Sequence, residues 1–492
     1  MLSETKLLTA FSLRRNINRL TFELTTDPIQ QDLRFLDAIR VYLITIITLV
    51  HVIIALGMTT SQNPEVIEKF LSGIGIQMLQ TLLPLVVDVF LAISGILLTV
   101  RFIGYTEGRR FSIKPFWMGV VNRYLRSLPV YALVLLFSTS IFDRFQINPS
   151  AYRIIPMIRT ICREKWWINL LFINNYYRPE EQCLMHTWYM AADIQLFIVG
   201  LTILMVLWKC SSLLRPMIYF LLVVGFILPM VNVYYNSMDA VTIINIKELA
   251  FIVWYDEWFT RNYQATETHF LCYFGGVLVG IIYHKMQKDD QLLAKSKLYT
   301  MLQYTTVPMM VLVCLPAPLL QLSNFSKPSV WMSIYAGVVR LVATSFGCVG
   351  WLLLLFAQPG SFFGKLRMSN MLQNAFYRVL GRLSFGYYLI HIIVMGAIYG
   401  IHHEAMRISV GLVIIVFCST VLITLLLSLL AYILVEKPFD IIFKQLLSSG
   451  TREKEKNDTI ISHTICNNHT DIPKQLNIIP EHSLELGDKL KE

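Results

Sequence analysis

Two histidines interrupt long apolar stretches, where an imidazole has few ways to satisfy its polar atoms. His51 lies in 41-VYLITIITLVHVIIALGM-58, and His391 lies in 383-LSFGYYLIHIIVMG-396. An imidazole has an unperturbed pKa of about 6.5, so it can take up or release a proton near neutral pH. Two interpretations of His51 stay open: a structural histidine hydrogen-bonded to a neighbouring helix, and a proton-handling general base in a membrane-embedded site.

Charged residues also interrupt apolar stretches, and each of them requires a partner at membrane depth. Asp88, Asp193 and Arg340 are the clearest cases. One interpretation is structural: Asp88 or Asp193 neutralises Arg340, and the pair fixes the packing of helices. The other is functional, because an ionisable group inside a membrane commonly marks a substrate or proton pathway.

Arg123 and Arg126 precede an apolar run in the segment 115-PFWMGVVNRYLRSLPVY-131. A spacing of three places both guanidinium groups on one face of a helix, which we expect at the cytoplasmic membrane boundary. Two such forks of hydrogen-bond donors can bind phosphate oxygens of a ligand. The alternative is that both arginines only anchor the helix near anionic lipid headgroups.

The elements that must position these side chains are membrane-spanning helices. The chain has 492 residues, 55% of them hydrophobic and 15% charged, and its mean hydropathy is +0.56. About ten segments approach the length of about 18 mostly apolar residues that crossing a bilayer requires, and the short third segment is expected to extend backward to Phe116. We therefore predict an all-α polytopic integral membrane protein with about ten helices in one bundle. The segments lie near 40–58, 79–100, 127–142, 188–208, 214–234, 268–284, 299–320, 333–357, 382–400 and 409–434.

The distribution of basic residues predicts the orientation. With ten spans, the loops on the side of both termini contain 22 Lys and Arg residues and the opposite loops contain 11. This bias predicts that both termini are cytoplasmic, and it accounts for the net charge of +10 without nucleic acid as a partner. We divide the chain into a cytoplasmic segment (1–33), a transmembrane domain (34–442) and a disordered cytoplasmic tail (443–492).

Other sequence features narrow the class further. The N-terminal residues lack the apolar run of a cleavable signal peptide, so the first span is expected to serve as a signal anchor. Cys162 and Cys183 share the largest outer loop, where a disulfide and two free thiols are both open. We find no Walker-type loop, Rossmann glycine pattern or metal-ligand cluster in the sequence, and we predict no metal site.

Six segments, taken together and in order, resemble the acyltransferase-3 family and its animal branch of nose-resistant-to-fluoxetine-type proteins. Animal relatives commonly carry a cysteine-rich extracellular domain before the first span, and residues 1–33 contain no cysteine; a short form and an incomplete N terminus are both open. Asp193 stands where bacterial relatives usually have Glu, and the Asp form resembles the animal branch. The resemblance covers roughly residues 30 to 440 and is carried by 36-LDAIRVYLITIITLVH-51, 87-VDVFLAISG-95, 122-NRYLRSLPVY-131, 187-TWYMAADIQLF-197, 384-SFGYYLIH-391 and 436-EKPF-439.

The resemblance implies an integral-membrane O-acyltransferase, an enzyme that transfers acyl groups other than amino-acyl groups. Acyl-CoA would be the donor substrate, with no permanently bound cofactor. His51 matches the family's candidate catalytic histidine, and Arg123 and Arg126 match the element taken to bind the donor's phosphate groups from the cytoplasm. We expect Asp193 to orient the acceptor or polarise a histidine. Secondary candidates are His391, Asp88, Arg340 and Trp188.

The expected partners are membrane lipids, acyl-CoA and an unidentified hydroxyl acceptor, in the endoplasmic reticulum or the plasma membrane. A homo-oligomer through Gly276-x-x-x-Gly280 or Gly396-x-x-x-Gly400 is a further expectation, although both motifs indicate close helix contacts first. Two alternatives to an enzyme stay open. One is a transporter or permease for lipids or amphipathic drugs without catalysis, and the other is a non-catalytic scaffold.

The charge bias yields a test of topology. We expect antibody to reach tags on either terminus only after the membrane is permeabilised, and any N-linked glycan to map to Asn324. Glycosidase sensitivity of Asn→Gln variants at each sequon measures this. A glycan on Asn457 or Asn468 of the tail would contradict the orientation.

Overall fold

The computed structural model describes residues 9–21, 33–145, 151–241, 257–287, 296–314, 328–356, 362–368, 372, 374–402 and 404–446. Helices dominate these residues because a helix satisfies its backbone hydrogen bonds within its own segment, as an apolar solvent requires. Extended pairing among them is limited to an isolated bridge between Ser61 and Met406. The predicted glycosylation sites Asn324, Asn457 and Asn468 lie outside the described residues, as does the tail from residue 447.

The helices are numbered here in chain order. They are α1 Leu13–Thr21, α2 Phe35–Met58, α3 Pro64–Leu71, α4 Ile74–Thr106, α5 Lys114–Ser140, α6 Ala151–Leu170, α7 Trp188–Lys209, α8 Leu214–Tyr235, α9 Phe270–Met286, α10 Lys297–Cys314, α11 Val330–Leu355, α12 Phe362–Met368, α13 Ala375–Gly400 and α14 Val410–Ala431.

Ten of these helices coincide with the ten predicted segments, and the all-α polytopic architecture is confirmed. Within the described residues, eight are long and apolar enough to cross a membrane. The helices α9 and α10 have 17 and 18 described residues and do not meet the same measure. The third predicted span does extend backward, since α5 begins at Lys114. The protein is therefore an integral membrane protein.

The first and ninth of the predicted spans, α2 and α13, run in the same direction along each other. Successive contacts advance together along both helices: Tyr42 to Tyr377 at 2.8 Å and Thr48 to Tyr387 at 3.1 Å, each between side-chain oxygens. The next contact joins the two histidines described below. We call the end at which both helices begin the basal end, and the end at which they finish the distal end.

A second close pair, α4 and α9, is also parallel and depends on glycine. A Cβ built on Gly276 would lie 2.1 Å from the carbonyl oxygen of Ala92, and one on Gly280 would lie 2.7 Å from Thr99 Cβ. Small residues thus let the two backbones touch. The interpretation of Gly276-x-x-x-Gly280 as a close helix contact is confirmed, and this contact lies within one chain.

The segment between α5 and α7 folds over the distal end. A disulfide joins Cys162 to Cys183, so these two residues are not free thiols. Beneath it, the buried Thr187 hydroxyl accepts hydrogen bonds from Tyr131 at 2.9 Å and from Asn169 at 3.0 Å. These contacts fix the short 3₁₀ turn Met185–Thr187, from which α7 starts.

The glycine contact predicts a sharp difference between two substitutions in the bundle. Gly276→Ala is expected to destabilise the protein by about 1–3 kcal/mol or more, because its methyl group would overlap a backbone carbonyl that cannot move freely. Gly347→Ala in α11 is the matched control, since nothing lies within 4 Å of its added Cβ. Thermal unfolding of both purified variants in detergent is the measurement. Equal stability of the two would contradict the described α4–α9 contact.

Candidate active site

His51 and His391 meet in the middle of the bundle. Each lies about 16 residues into its helix, or about 24 Å from the basal end at 1.5 Å per residue. His51 Nδ1 is 2.9 Å from His391 Nε2, and the ring planes lie within 14° of each other. No local sequence signal indicates their contact, because the two residues lie 340 positions apart along the chain.

The second hydrogen bond of His391 determines which nitrogen carries a proton in the neutral pair. His391 Nδ1 is 2.7 Å from the carbonyl oxygen of Tyr388, which can only accept, so this nitrogen carries the proton. His391 Nε2 is then an acceptor, and His51 Nδ1 donates to it. The lone pair of His51 Nε2 is left free, and no described residue bonds to that atom.

A third histidine, His186, lies beside this pair on the turn before α7. Its ring centroid is 5.8 Å from that of His391 in an edge-to-face arrangement. Its Nε2–H donates to the carbonyl oxygen of Leu389 at 3.3 Å, and its own carbonyl accepts from the Tyr388 hydroxyl. Among the described residues, no three His, Cys, Asp or Glu side chains converge as metal ligands.

The helices α2 and α13 and the turn that carries His186 all line a cavity of about 1800 Å³. This is larger than the roughly 300–1,000 Å³ of a typical small-molecule pocket. Its wall reaches from Arg40 and Arg101 at the basal end to Met58 and Gly400 at the distal end. The wall is mainly apolar, and His51 lies between the two ends. The cavity therefore connects the histidines to both ends of the bundle.

The Arg-x-x-Arg element divides into two different environments. Arg123 forms an ion pair with Asp193, donates to Ser94 Oγ at 2.9 Å and lies 4.5 Å over the Phe197 ring. It lies about nine residues into α5, or about 13 Å, which is nearer to the basal end than the histidines. Arg126, by contrast, is exposed into the basal part of the cavity.

Asp193 contacts no histidine among the described residues, and it pairs with Arg123 rather than with Arg340. Its second oxygen, Oδ1, is buried and accepts no hydrogen bond from a described residue. A buried acceptor without a partner is uncommon in folded proteins. Asp193 itself lines the cavity, although Oδ1 has almost no exposed surface there.

Asp88 and Arg340 form the buried ion pair that was one of the two sequence interpretations. Arg340 Nη1 is 2.6 Å from Asp88 Oδ2, and both residues are at most 7% exposed. The other carboxylate oxygen contacts His269 Nδ1, and the His269 ring stacks on Trp188 at 5.2 Å. Trp188 itself lines the cavity, so this network supports one wall without facing the histidine pair.

Sequence reasoning missed three residues of this region. His186 directly precedes the quoted segment 187–197 but lies in a turn, where an exposed histidine is ordinary. His269 is the second residue of the predicted span 268–284 and has no local signal of its partner Asp88. Arg101 was counted only as a basic residue near a helix end, although it lines the cavity. In each case the partners lie far away along the chain.

The fold and the site define an all-helical integral membrane protein with a cavity that contains a buried histidine pair and a basic end. The chain belongs to the acyltransferase-3 family: residues 33–432 match the family model described as an acyltransferase domain. It is also similar to nose resistant to fluoxetine protein 6 of Caenorhabditis elegans, with 32% identity over 133 residues. That match covers 25% of this chain and 16% of the worm protein, and it supports the animal branch. No solved structure matches.

The Asp88–Arg340 pair predicts a large loss of stability when one partner loses its charge. Asp88→Asn is expected to destabilise the protein by about 3–5 kcal/mol, because Arg340 would keep a buried charge without a counter-ion. Glu257→Gln is the control, because its contact with Arg261 is exposed and 3.9 Å long, worth at most about 0.5 kcal/mol. Thermal unfolding in detergent compares the two. If both variants unfold at the same temperature, the pair does not fix helix packing.

Proposed function

We propose that this protein is an integral-membrane O-acyltransferase that transfers an acyl group from cytoplasmic acyl-CoA to a hydroxyl acceptor, with His51 as the general base. The observation that carries the proposal is the hydrogen bond between His51 and His391, which leaves His51 Nε2 free at the wall of the cavity. Membership of the acyltransferase-3 family supports the reaction class.

The proposed reaction needs one proton acceptor and no protein nucleophile. His51 Nε2 takes the proton of the acceptor hydroxyl while the hydroxyl oxygen attacks the thioester carbonyl carbon. The carbon–sulfur bond then breaks, and the departing CoA thiolate receives a proton from the His51 imidazolium. General-base catalysis of this kind contributes on the order of 10²–10⁴-fold to a rate.

His391 acts in this proposal as a positioning residue. Its bond to the Tyr388 carbonyl holds it in the tautomer that accepts from His51 Nδ1. The hydrogen bond from His51 Nδ1 to His391 Nε2 orients the His51 ring. It also stabilises the imidazolium that forms when His51 Nε2 takes a proton. Asp193, which lines the cavity and is paired with Arg123, would orient an N–H or O–H group of a substrate.

The two ends of the cavity suit the two substrates. The basal end, which the charge bias assigns to the cytoplasm, contains the basic residues that a phosphate-bearing donor requires. The disulfide-bonded distal segment suits an oxidising compartment, and it lies at the end from which an acceptor would enter. Donor and acceptor would then meet at the histidines.

A second candidate function rests on the same cavity. Because its mainly apolar wall extends from one end of the bundle to the other, it also suits a pathway for lipids or amphipathic drugs without catalysis. In that case the histidines would only bind a passing polar group, and no thioester would be consumed.

Three variants of the two histidines separate these roles. His51→Gln is expected to lower the consumption of radiolabelled acetyl-CoA or palmitoyl-CoA by about 10²–10⁴-fold, because an amide cannot take up a proton. His391→Gln keeps an oxygen that accepts from His51 Nδ1, so its rate should stay within about tenfold of wild type. His391→Leu, which lacks any acceptor, should be slower than His391→Gln. The assay is donor consumption by purified protein in lipid vesicles.

The outcomes are distinct. If His51→Gln matches the wild type, His51 is a packing residue and the proposed mechanism is lost. If His391→Gln is as inactive as His51→Gln, the base is His391 or the pair acts as one unit. If the wild type consumes neither donor, while His51→Ala blocks the movement of a fluorescent phospholipid across proteoliposomes, the transport function replaces the enzymatic one.

A further inference from the structure

The helices α2 and α4 run in opposite directions and pack together near both of their ends. Toward the basal end, Leu43 of α2 packs against the apolar cluster that contains Ile93 of α4. Toward the distal end, Ile54 of α2 and Ile76 of α4 pack against one cluster that centres on α3. The middle parts of the two helices therefore lie between two fixed points of contact.

Between these two contacts, the residues that continue the same side of α2 line the cavity instead. Ile46 follows Leu43 by three residues and Val50 follows Ile46 by four, so all three lie along one side of the helix. Ile54 of the distal contact comes four residues later on that side. Ile46 and Val50 line the cavity, and among the described residues neither packs in an apolar cluster with α4. The side of α2 that faces α4 is thus uncovered at this height.

The opposing side of α4 shows the same change. Val86, Phe90 and Ile93 are spaced by four and three residues and share one side of the helix. Val86 and Phe90 line the cavity, whereas Ile93 belongs to the basal contact. Pro84 lies inside α4 at this height, and a proline there removes a backbone hydrogen bond and clashes with the preceding turn. It supplies a physical reason for the two helices to separate between their contacts.

We call the gap between Ile46 and Val50 of α2 and Val86 and Phe90 of α4 the lateral opening. His51 lies five residues after Ile46, so the two side chains point about 140° apart around α2, yet both line the cavity. The cavity therefore extends around the side of the helix, where Ile46 is 44% exposed. Ile46 and Val50 lie about 17–23 Å from the start of α2, within a hydrocarbon core about 30 Å thick. The opening accordingly leads from the histidine pair to the lipid chains of the bilayer.

We infer that the lateral opening holds the acyl chain of the donor, and that the donor substrate is a long-chain acyl-CoA rather than acetyl-CoA. The inference rests on the proposed function, because that function places the thioester at His51 Nε2. Val50 is the neighbour of His51 in the chain, so the opening begins beside the reacting carbonyl group. All four bordering side chains are apolar, and an alkyl chain that passes between them into the bilayer stays out of water along its length.

The other two ends of the cavity are less suited to an alkyl chain. The basal end contains basic residues, and the distal part of the wall includes the polar side chains of Gln182 and His186. A polar CoA moiety toward the basal end and an acceptor toward the distal end leave the lateral opening as the apolar exit. Because the bilayer forms no end wall, this exit restricts the width of the chain and not its length.

The test measures binding of the non-hydrolysable thioether analogues of palmitoyl-CoA and acetyl-CoA to the full-length protein in nanodiscs, with binding to empty nanodiscs subtracted. The wild type is expected to bind the palmitoyl analogue about tenfold or more tightly than the acetyl analogue. Val50→Trp fills the opening and should weaken binding of the palmitoyl analogue about tenfold or more, while affinity for the acetyl analogue changes by less than about twofold. Val86→Trp, on the opposite border, should have the same effect.

Leu49→Trp is the matched control. Leu49 lies at the same depth of α2 and is 39% exposed, but it does not line the cavity. The same substitution there should leave the affinity for both analogues within about twofold of the wild type. If Val50→Trp and Val86→Trp unfold at the wild-type temperature and keep the wild-type preference for the palmitoyl analogue, the assignment of the chain to the opening is wrong. Equal affinity of the wild type for the two analogues would also overturn it.

A second arm distinguishes the chain of the donor from the chain of a lipid acceptor. A photoreactive monoacylglycerol is added to the nanodiscs, and its labelling of α2 and α4 is mapped by mass spectrometry. Saturation with the palmitoyl analogue should protect the borders of the opening from this label, whereas the acetyl analogue should not. If Val50→Trp loses the lipid label but binds the palmitoyl analogue as the wild type does, the opening holds the chain of a lipid acceptor and the donor assignment is wrong.

The failure of this inference is distinguishable from failure of the proposed reaction, because the thioether analogues report binding without turnover. His51→Gln should keep the wild-type preference for the palmitoyl analogue, since the four bordering side chains are unchanged. If His51→Gln proves fully active, the general-base mechanism is lost while the binding result for Val50→Trp still stands. If both Trp variants of the opening bind the palmitoyl analogue normally and His51→Gln is inactive, the chain site is lost and the general base stands.

Discussion

The absence of water from the hydrocarbon core of a bilayer is the constraint on which this structure depends. A polar side chain there must find its partner inside the protein, because nothing outside can supply one. His51 contacts His391, and Asp88 pairs with Arg340. Asp193 of α7 pairs with Arg123 of α5. Each of these contacts joins different helices, so the polar residues that are costly at membrane depth also define how the bundle is assembled.

The same contacts divide the molecule into a supporting part and a reactive part. Both oxygens of the Asp88 carboxylate have a partner, because one is paired with Arg340 and the other is bonded to His269. Neither partner lines the cavity. The histidine pair and Asp193 are incomplete by comparison: neither His51 Nε2 nor Asp193 Oδ1 accepts a hydrogen bond from a described residue, and both residues line the cavity. Incomplete hydrogen bonding beside an open cavity favours a role in ligand binding, because a substrate can supply the missing partner.

Much of the fold follows from the sequence because length and hydropathy determine which segments can cross a bilayer. Each predicted span coincides with a helix, and the depth of His51 and His391 follows from counting residues along two helices of common rise. The number of spans is less certain from the sequence than their positions, since α9 is short and its place in the bundle is visible in its tertiary contacts, such as its glycine contacts with α4. Local composition carries no information about such contacts.

The sequence by itself determined the membrane class, the approximate position of each helix and the small set of polar residues that need partners. Only the tertiary structure decided which partners they have. Helical spacing placed Arg123 and Arg126 on one face, yet the fold turns Arg123 toward Asp193 and leaves Arg126 exposed to the cavity. The reason is physical: hydropathy is a property of each segment, whereas a hydrogen bond or a repulsion between charges depends on distances between helices that are remote in the chain.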